Sequence, residues 1–134
     1  MKLESAWLEL MKNSSLEKDC KQVTLLTEKG IPESVRGQAW IWMSGIERND
    51  EYYYKLLKQK SYSETSESQI KKDVPRTIYR YNFSSEEKAT ESLTNILLAF
   101  VTYHPNIGYI SGMSFVAALL LSYVREEVSS SIYL

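Results

Sequence analysis

The chain has 134 residues, which is enough for one hydrophobic core and too few for two independent domains. Its sixteen basic and seventeen acidic residues are mixed along the sequence and give a net charge of −1. This balance excludes a broad cationic face for nucleic acid or anionic lipid, and the single cysteine, Cys20, excludes a disulfide framework and a CxxC metal pair.

The first two predicted helices are amphipathic. In "KLESAWLELM" the apolar residues that share one helical face are Leu3, Trp7, Leu8 and Met11. Ser14 or Ser15 is a suitable cap for a second helix, and Gly30 is its predicted end. The apolar members of that second helix are Leu16, Val23, Leu25 and Leu26.

A third and a fourth helix are predicted before a polar segment. In "IPESVRGQAWIWMSG", Pro32 fits a first helical turn and Gly45 the end of the helix. Its apolar face comprises Val35, Ala39, Trp42 and Met43. The stretch "DEYYYKLLKQK" predicts a short fourth helix, and the serine-rich residues 61–69 that follow predict a polar surface loop.

The clearest helix lies in "SSEEKATESLTNILLAFVTYHP". Ser84 and Glu87 have the spacing of a capping box, and the helix is expected to stop before Pro105. Its predicted buried side comprises Ala89, Leu93, Ile96, Leu97, Phe100 and Val101. No alternating strand of sufficient length is present, so the predicted fold is an all-α helix bundle, with residues 1–134 forming a single domain.

Residues 107–124 carry no charge, which leaves two interpretations open. The span approaches the roughly 18 to 20 apolar residues that a membrane helix needs. Glycine and serine interrupt its first half, however, and the apolar remainder from Met113 to Val124 has the length of a buried core helix. We therefore predict no integral membrane span and keep a membrane-anchored helical protein only as a reserve hypothesis.

The sequence lacks the motifs of a self-contained active site. It has no GxxxxGK[ST] phosphate loop, no HExxH and no calcium loop, and "GYISG" lacks the serine of a GxSxG elbow. His104 is the only histidine and stands beside a proline, which favours a structural turn residue. No metal site and no cofactor are predicted.

Three short stretches occur in an informative order. "GIPESVRGQAW" supplies Gly30, Ile31, Pro32, Arg36, Gly37 and Trp40; "IKKDVPRT" supplies Ile70, Asp73, Arg76 and Thr77; "GYISGM" supplies Gly108, Tyr109, Gly112 and Met113. In order and spacing they resemble the RGxxW, IxxDxxRT and GYxQGMN motifs of the TBC domain, a family of helical GTPase-activating proteins that act on Rab GTPases. The resemblance covers residues 3–125.

The resemblance implies a mechanism in which Arg76 is an arginine finger inserted into a Rab-type GTPase that holds GTP. A guanidinium suits that role because it stays charged and forks its donors toward phosphoryl oxygens. Pro75 is expected to stop the helix just before Arg76, so that the side chain projects from a helix end or a loop. Asp73 is expected to hold the local backbone or to pair with a basic group such as Arg36.

The remaining motif residues are assigned supporting roles by the same resemblance. Thr77, Tyr109, Gly112 and Met113 are the expected binding or supporting residues, and Arg36, Gly37 and Trp40 form the structural motif. Plainer interpretations stay open for several of them. Arg36 and Trp40 are one helical turn apart and fit a cationic stem that covers a core aromatic ring. The aromatics Tyr79, Tyr81 and Phe83 fit packing better than recognition.

Two departures from the family pattern bear on function. Ser111 stands where the family has a glutamine that orients the attacking water, and Ser114 stands where it usually has asparagine. A serine hydroxyl is shorter than a glutamine amide and lacks its paired carbonyl and NH₂ groups. Two hypotheses follow: a GTPase activator weakened at Ser111, or a catalytically inactive scaffold that binds a GTPase.

Length is a further departure from the family pattern. Family domains run to roughly 200 residues, so the chain is expected to be either a piece of the domain or a reduced bundle. In a reduced bundle the apolar helix 113–124 needs another cover, which favours self-association or a bound partner. The resemblance also implies a cytoplasmic protein in vesicle trafficking, peripheral on vesicle membranes through its GTPase partner.

Overall fold

The computed structural model describes residues 2–13, 21–46 and 49–133, and within these ranges it contains eight α-helices and no β-strand. The all-α prediction is therefore confirmed. The helices are α1 Lys2–Lys12, α2 Lys21–Lys29, α3 Glu33–Ser44, α4 Asp50–Gln59, α5 Glu64–Ile78, α6 Glu86–Tyr103, α7 Met113–Leu121 and α8 Glu126–Tyr133.

The chain divides into two compact units, Met1–Ile46 and Glu47–Leu134. The first contains α1 to α3, and the second contains α4 to α8. Each unit has its own buried apolar residues. The sequence predicted a single helical domain, and that the two units form one domain stays a prediction.

The first unit is built around Trp7 of α1. The indole is fully buried, and its Nε1 donates a hydrogen bond of 3.1 Å to the Gly30 carbonyl at the end of α2. The predicted apolar face of α1 was wrong at one position: Leu8 is exposed, and Leu10 is buried instead. Successive helical residues are about 100° apart, so Leu8 points away from the face that Trp7 and Leu10 share.

The predicted helix ends of the first unit agree with the structure wherever it describes them. Gly30 follows α2 directly, and Gly45 caps the end of α3. Pro32 lies one position before the helix, as the N-cap of α3, and Val35 and Ala39 are buried as expected. The predicted cap at Ser14 or Ser15, and Leu16, lie outside the described residues.

The predicted polar loop at 61–69 is wrong for most of its length. Helix α5 begins at Glu64, and the Ser63 side chain caps it by accepting a hydrogen bond of 3.1 Å from the Ser66 backbone N–H. The negative side chains of Glu64 and Glu67 lie in the first turn, where they interact favourably with the positive end of the helix dipole. Glu67 also forms an ion pair of 3.0 Å with Lys71. Capping and charge thus support a helix that composition alone had suggested was a loop.

Pro75 does not end α5, which is a second correction. The helix continues to Ile78, and the Pro75 carbonyl accepts a hydrogen bond of 3.2 Å from the Tyr79 backbone N–H. Proline lacks an N–H and crowds the preceding turn, which disfavours a helix. Here the buried side chains on either side of it, Val74 and Thr77, hold the final turn in place.

Helix α6 is the centre of the second unit. Its predicted buried side is confirmed, since Ala89, Leu93, Ile96, Leu97, Phe100 and Val101 are all buried. The cap is Ser85, one residue after the predicted Ser84, and its side chain accepts from the Lys88 backbone N–H. The helix ends at Tyr103, and His104 is its C-cap, which places His104 at the expected turn.

The apolar segment after the third motif forms a shorter helix than predicted. Helix α7 ends at Leu121, and α8 follows as a separate helix that the sequence had not predicted. Only part of α7 is buried, namely Ser114, Ala117 and Ala118. None of the helices in the described part of the chain is both long and apolar enough to span a membrane.

Candidate functional site

Two polar contacts join the second and third motifs at the C-terminal end of α5. The Tyr109 hydroxyl donates a hydrogen bond of 2.7 Å to Oδ2 of Asp73. One turn further along α5, the hydroxyl oxygens of Thr77 and Ser114 share a hydrogen bond, also 2.7 Å long. We call these two contacts the α5–α7 bridge. They tie the last turn of α5 to the segment that leads into α7.

Burial strengthens the α5–α7 bridge. Tyr109 is 7% exposed, and Thr77 and Ser114 are each 1% exposed. The Thr77 hydroxyl also donates to the Asp73 carbonyl at 2.8 Å, so it is engaged on both sides. Buried polar groups that lose a partner cost free energy, which makes the pairing specific. The final turn of α5 is thereby fixed in position.

The pKa of Tyr109 supports its role as a donor. Burial raises the pKa of its hydroxyl to about 12, and the hydrogen bond to Asp73 acts in the same direction, while Ser114 opposes them. The hydroxyl is therefore protonated at physiological pH and donates to the carboxylate. For Asp73 the sequence had suggested the local backbone or a basic group such as Arg36 as partner, and the partner of the carboxylate is in fact Tyr109.

Arg76 lies in the last turn of α5, between the two contacts of the α5–α7 bridge in sequence, and its side chain is exposed. Within the ranges 2–13, 21–46 and 49–133, no residue forms a hydrogen bond or an ion pair with it. A fixed backbone thus carries a cation that is free to meet a partner from outside.

The turn before α7 is shaped by two glycines. Gly108 has φ +67° and Gly112 has φ +100°, a left-handed region that side chains with a Cβ rarely adopt. Between them, the Tyr109 backbone N–H donates to the Ser66 hydroxyl at 3.3 Å. Ser111 lies in this turn with its side chain exposed. The turn therefore presents Ser111 to solvent while Tyr109 points into the unit.

Met113 is the first residue of α7 and accepts two hydrogen bonds, one at its sulfur and one at its carbonyl oxygen. Its sulfur accepts a hydrogen bond of 3.3 Å from the Ile110 backbone N–H, and its carbonyl accepts one of 3.0 Å from the Tyr133 hydroxyl of α8. These contacts agree with a helix-start role for Met113. They also connect α8 to the site, which the sequence had not indicated.

The first motif lies in the first unit. Arg36 donates to the Ile31 carbonyl through Nη2 at 2.7 Å and through Nε at 3.2 Å, which fastens the turn before α3. Gly37 and Trp40 lie within α3 and are half-buried. These positions agree with the structural motif that the resemblance implies, and any contact of Arg36, Gly37 or Trp40 with a GTPase stays a prediction.

The aromatic residues after α5 divide into two groups. Tyr81 and Phe83 pack against the buried residues of the second unit, as predicted, and their ring centroids lie 5.9 Å apart. Tyr79 is 85% exposed, so the prediction that it packs was wrong. It follows Ile78 at the point where the helix ends, and its ring points away from the apolar face.

Sequence reasoning missed two supporting groups. Ser66 lies one turn before Ile70 on the buried face of α5, and its helical spacing would have identified it had the segment not been predicted as a loop. Tyr133 had no signal, because α8 was not predicted. In the described part of the chain no cluster of three or more His, Cys, Asp or Glu residues could hold a metal ion.

Two comparisons with known proteins identify the family of the chain. The family model of the Rab-GTPase-TBC domain matches residues 33–133. The chain is also 33% identical over 132 residues to the TBC1 domain family member whacked of Drosophila melanogaster, a match that covers 92% of this chain and 36% of that protein. The chain thus spans about a third of the length of this relative. From the motifs, the α5–α7 bridge and these matches together, we conclude that the chain belongs to the Rab-GTPase-TBC domain family.

Proposed function

We propose that this chain stimulates GTP hydrolysis by a small GTPase of the Rab type in its GTP-bound form, with Arg76 as an arginine finger supplied in trans. The observation that carries the proposal is the setting of Arg76. Its side chain is exposed and unpartnered within the described ranges, and the bridge on either side of it is buried. The cytoplasmic face of vesicle membranes, reached through the GTPase, is the corresponding location.

The chemistry of GTP hydrolysis explains what such a cation contributes. The transition state is loose, and negative charge spreads over the phosphoryl oxygens as the γ-phosphoryl group leaves. A guanidinium placed against these oxygens stabilises the transition state more than the ground state, which raises the rate. Arginine fingers contribute about 10³- to 10⁵-fold in rate. Arg76 has no ion pair to any residue that the structure describes, so none of these has to be broken when it enters the pocket.

Ser111 modifies the proposal. The family motif has a glutamine at this position that orients the attacking water, and the serine side chain is too short to do so from the same backbone. Arg76 then stabilises charge, while water placement depends on a glutamine of the GTPase itself. The proposed activity is therefore weaker than that of a protein with both groups.

Ser111 also supports a second candidate, a catalytically inactive member that binds a GTPase as a scaffold. The buried framework is intact in this interpretation, and only the water-orienting group is missing. The two candidates differ in one observable. An activator accelerates hydrolysis, whereas a scaffold binds the GTP-bound GTPase without changing its rate.

Single-turnover GTP hydrolysis by a panel of purified Rab-type GTPases tests the proposal. We expect the wild-type chain to accelerate at least one of them and Arg76→Ala to abolish the acceleration without weakening binding. Ser111→Gln should raise the rate by about tenfold because it restores water placement. Ser61→Gln, at another exposed serine, is the matched control and should have no effect. Equal hydrolysis with wild type and Arg76→Ala would reject the finger.

The exposed side of α7 supports a proposal about assembly. Val116 and Leu119 are exposed on a helix that has no charged residue, and an apolar helix normally has cover on all sides. Self-association through α7 is one way to cover it. Sedimentation velocity over a concentration series tests this, and a sedimentation coefficient independent of concentration at the monomer value would reject it.

A further inference from the structure

The solvent side of α5 is strongly basic toward its C-terminal end. Pairs of adjacent exposed residues recur every four positions from residue 71 to the turn after the helix. These pairs are Lys71 with Lys72, Pro75 with Arg76, and Tyr79 with Arg80. Four of these six side chains are cations, and none is acidic. The only carboxylate in the segment, Asp73, is half-buried and engaged by Tyr109. Positive charge is therefore concentrated around Arg76 although the whole chain is slightly acidic.

The four cations are engaged to different extents. Lys71 pairs with Glu67 at 3.0 Å, one turn earlier on the helix. Lys72 and Arg76 have no hydrogen bond or ion pair to any residue that the structure describes. The Arg80 guanidinium lies over the Phe115 ring, 5.8 Å from its centroid. Charges that find no acidic neighbour on their own chain can pair with acidic groups of a partner.

Arg80 is held in place by contacts with α7. The cation–π contact with Phe115 leaves its N–H donors free to point outward. Next to it, the Tyr81 hydroxyl donates a hydrogen bond of 3.0 Å to the Phe115 carbonyl. A guanidinium that is already positioned loses less conformational entropy when it binds than a mobile one does. Arg80 is thus prepared for binding in a way that Lys72 is not.

We propose that Lys72, Arg80 and the Phe115 ring form a docking face around Arg76 that binds an acidic, partly apolar surface of the GTPase beside its nucleotide. This inference rests on the proposed function and adds residues that recognise the partner without contacting the reacting phosphate. On a helix, residues four positions apart rise by about 6 Å, so Lys72 lies about one turn before the finger. Arg80 follows the finger in the turn after the helix. They flank the finger and act on the encounter with the GTPase.

The physical role of the flanking cations predicts which rate constant they control. Charges at the rim of an interface mainly raise the association rate by steering, and salt screens this effect. The finger itself acts on the chemical step. Loss of Lys72 or Arg80 should therefore slow complex formation and leave hydrolysis within the complex unchanged. Loss of Arg76 should do the reverse.

Stopped-flow association with Rab-type GTPases loaded with a non-hydrolysable GTP analogue separates the two roles. We expect Lys72→Glu and Arg80→Glu each to lower the association rate constant by about tenfold at low ionic strength, with the difference shrinking as salt is added. Arg80→Lys keeps the positive charge, and its association rate constant should be close to that of the wild type. Lys55→Glu reverses an exposed cation of α4 outside the face and should have no effect, and thermal unfolding verifies that each variant is folded.

The outcomes distinguish this inference from the proposed function. If Lys72→Glu and Arg80→Glu associate like wild type while Arg76→Ala still abolishes acceleration, the docking face is wrong and the finger stands. If the wild-type chain neither binds nor accelerates any GTPase, both are wrong. If the same two variants lose binding to phosphatidylserine vesicles and keep normal association with the GTPase, the basic residues serve a membrane and the docking face is overturned.

Discussion

Two buried tyrosines of the second unit each donate a hydrogen bond to a carboxylate, and the two pairs look alike. In one, Asp73 accepts from the Tyr109 hydroxyl at 2.7 Å, and in the other, Glu126 accepts from the Tyr53 hydroxyl at 2.5 Å. Both tyrosines are buried, and in both cases burial is the first cause that raises the pKa of the hydroxyl. The pairs differ in what surrounds them.

All the described partners of the Glu126 carboxylate lie within the second unit. Besides Tyr53 it accepts hydrogen bonds from Ser92 and Asn95 of α6, so one carboxylate connects α4, α6 and α8. Asp73 holds only one turn of α5, and a few residues away stands Arg76, exposed and without a partner in the described ranges. The comparison teaches that a buried polar network alone indicates stability. The proposed function rests on the other arrangement, in which a network holds a cation at the surface that has no partner among the described residues.

The largest effect on stability is expected at Glu126. Glu126→Ala leaves the buried Tyr53 hydroxyl and two further donors without their acceptor, and we expect the free energy of unfolding to fall by about 3 kcal/mol. Urea unfolding measures the loss. Glu126→Gln keeps an acceptor oxygen and should lose about 1 kcal/mol. The rate of GTP hydrolysis at saturating chain should not change, and a large fall in that rate would remove the distinction between the two pairs.

A smaller effect on stability, but one on activity as well, is expected at Asp73. Asp73→Ala removes the acceptor of the Tyr109 hydroxyl, and we expect the free energy of unfolding to fall by about 2 kcal/mol. We also expect the acceleration of GTP hydrolysis to fall by about tenfold to hundredfold, because a displaced arginine finger costs about that much in rate. Asp73→Asn keeps an oxygen for Tyr109 and is the matched control. If Asp73→Ala accelerates hydrolysis as well as wild type does, the bridge does not position Arg76.

The smallest effect is expected at alkaline pH. Tyr109 has a folded-state pKa of about 12 against an ordinary value near 10, so its protonated form favours folding. That contribution is complete below about pH 10 and is lost as the pH rises toward about 12. Phenylalanine cannot ionise, so in Tyr109→Phe the free energy of unfolding, measured with urea, should fall less steeply between about pH 10 and pH 12 than in the wild type. Tyr54 and Tyr133, with pKa values also raised to about 12, should leave a residual slope.

An unchanged alkaline slope in Tyr109→Phe would mean that its hydroxyl is not held by burial and by Asp73. The measurement has an internal control, because the variant and the wild type should show parallel pH dependence below about pH 9, where the Tyr109 hydroxyl of the wild type is protonated in both the folded and the unfolded state.

The sequence predicted the parts of this fold that depend on apolar spacing. The buried side of α6 and the limits of α3 agree with the structure because helical periodicity and terminal glycine are local signals. The start of α5 was missed because its composition is polar, and the signals that matter there are a serine cap and charge placement. Helix α8 was missed because it is short and rich in serine, and Val128 and Ile132 give only one apolar pair at helical spacing within it.

The contacts among the predicted site residues were not predicted, and that these residues form a functional site stays a prediction. The motifs indicated that Asp73, Thr77 and Tyr109 belong together, and the structure adds which atoms meet. The contact of Arg80 with Phe115 joins residues 35 positions apart in the sequence and has no local signal. Contacts of this kind depend on how helices pack, which spacing within one helix does not determine.

The role of Arg76 is tested most directly by binding to a GTPase that holds GDP with aluminium fluoride, which imitates the transferring phosphoryl group. We expect the wild-type chain to form a stable complex with this species and Arg76→Ala not to, while both bind the GTP-analogue form equally. Equal binding of Arg76→Ala and wild type to the aluminium fluoride form would contradict it.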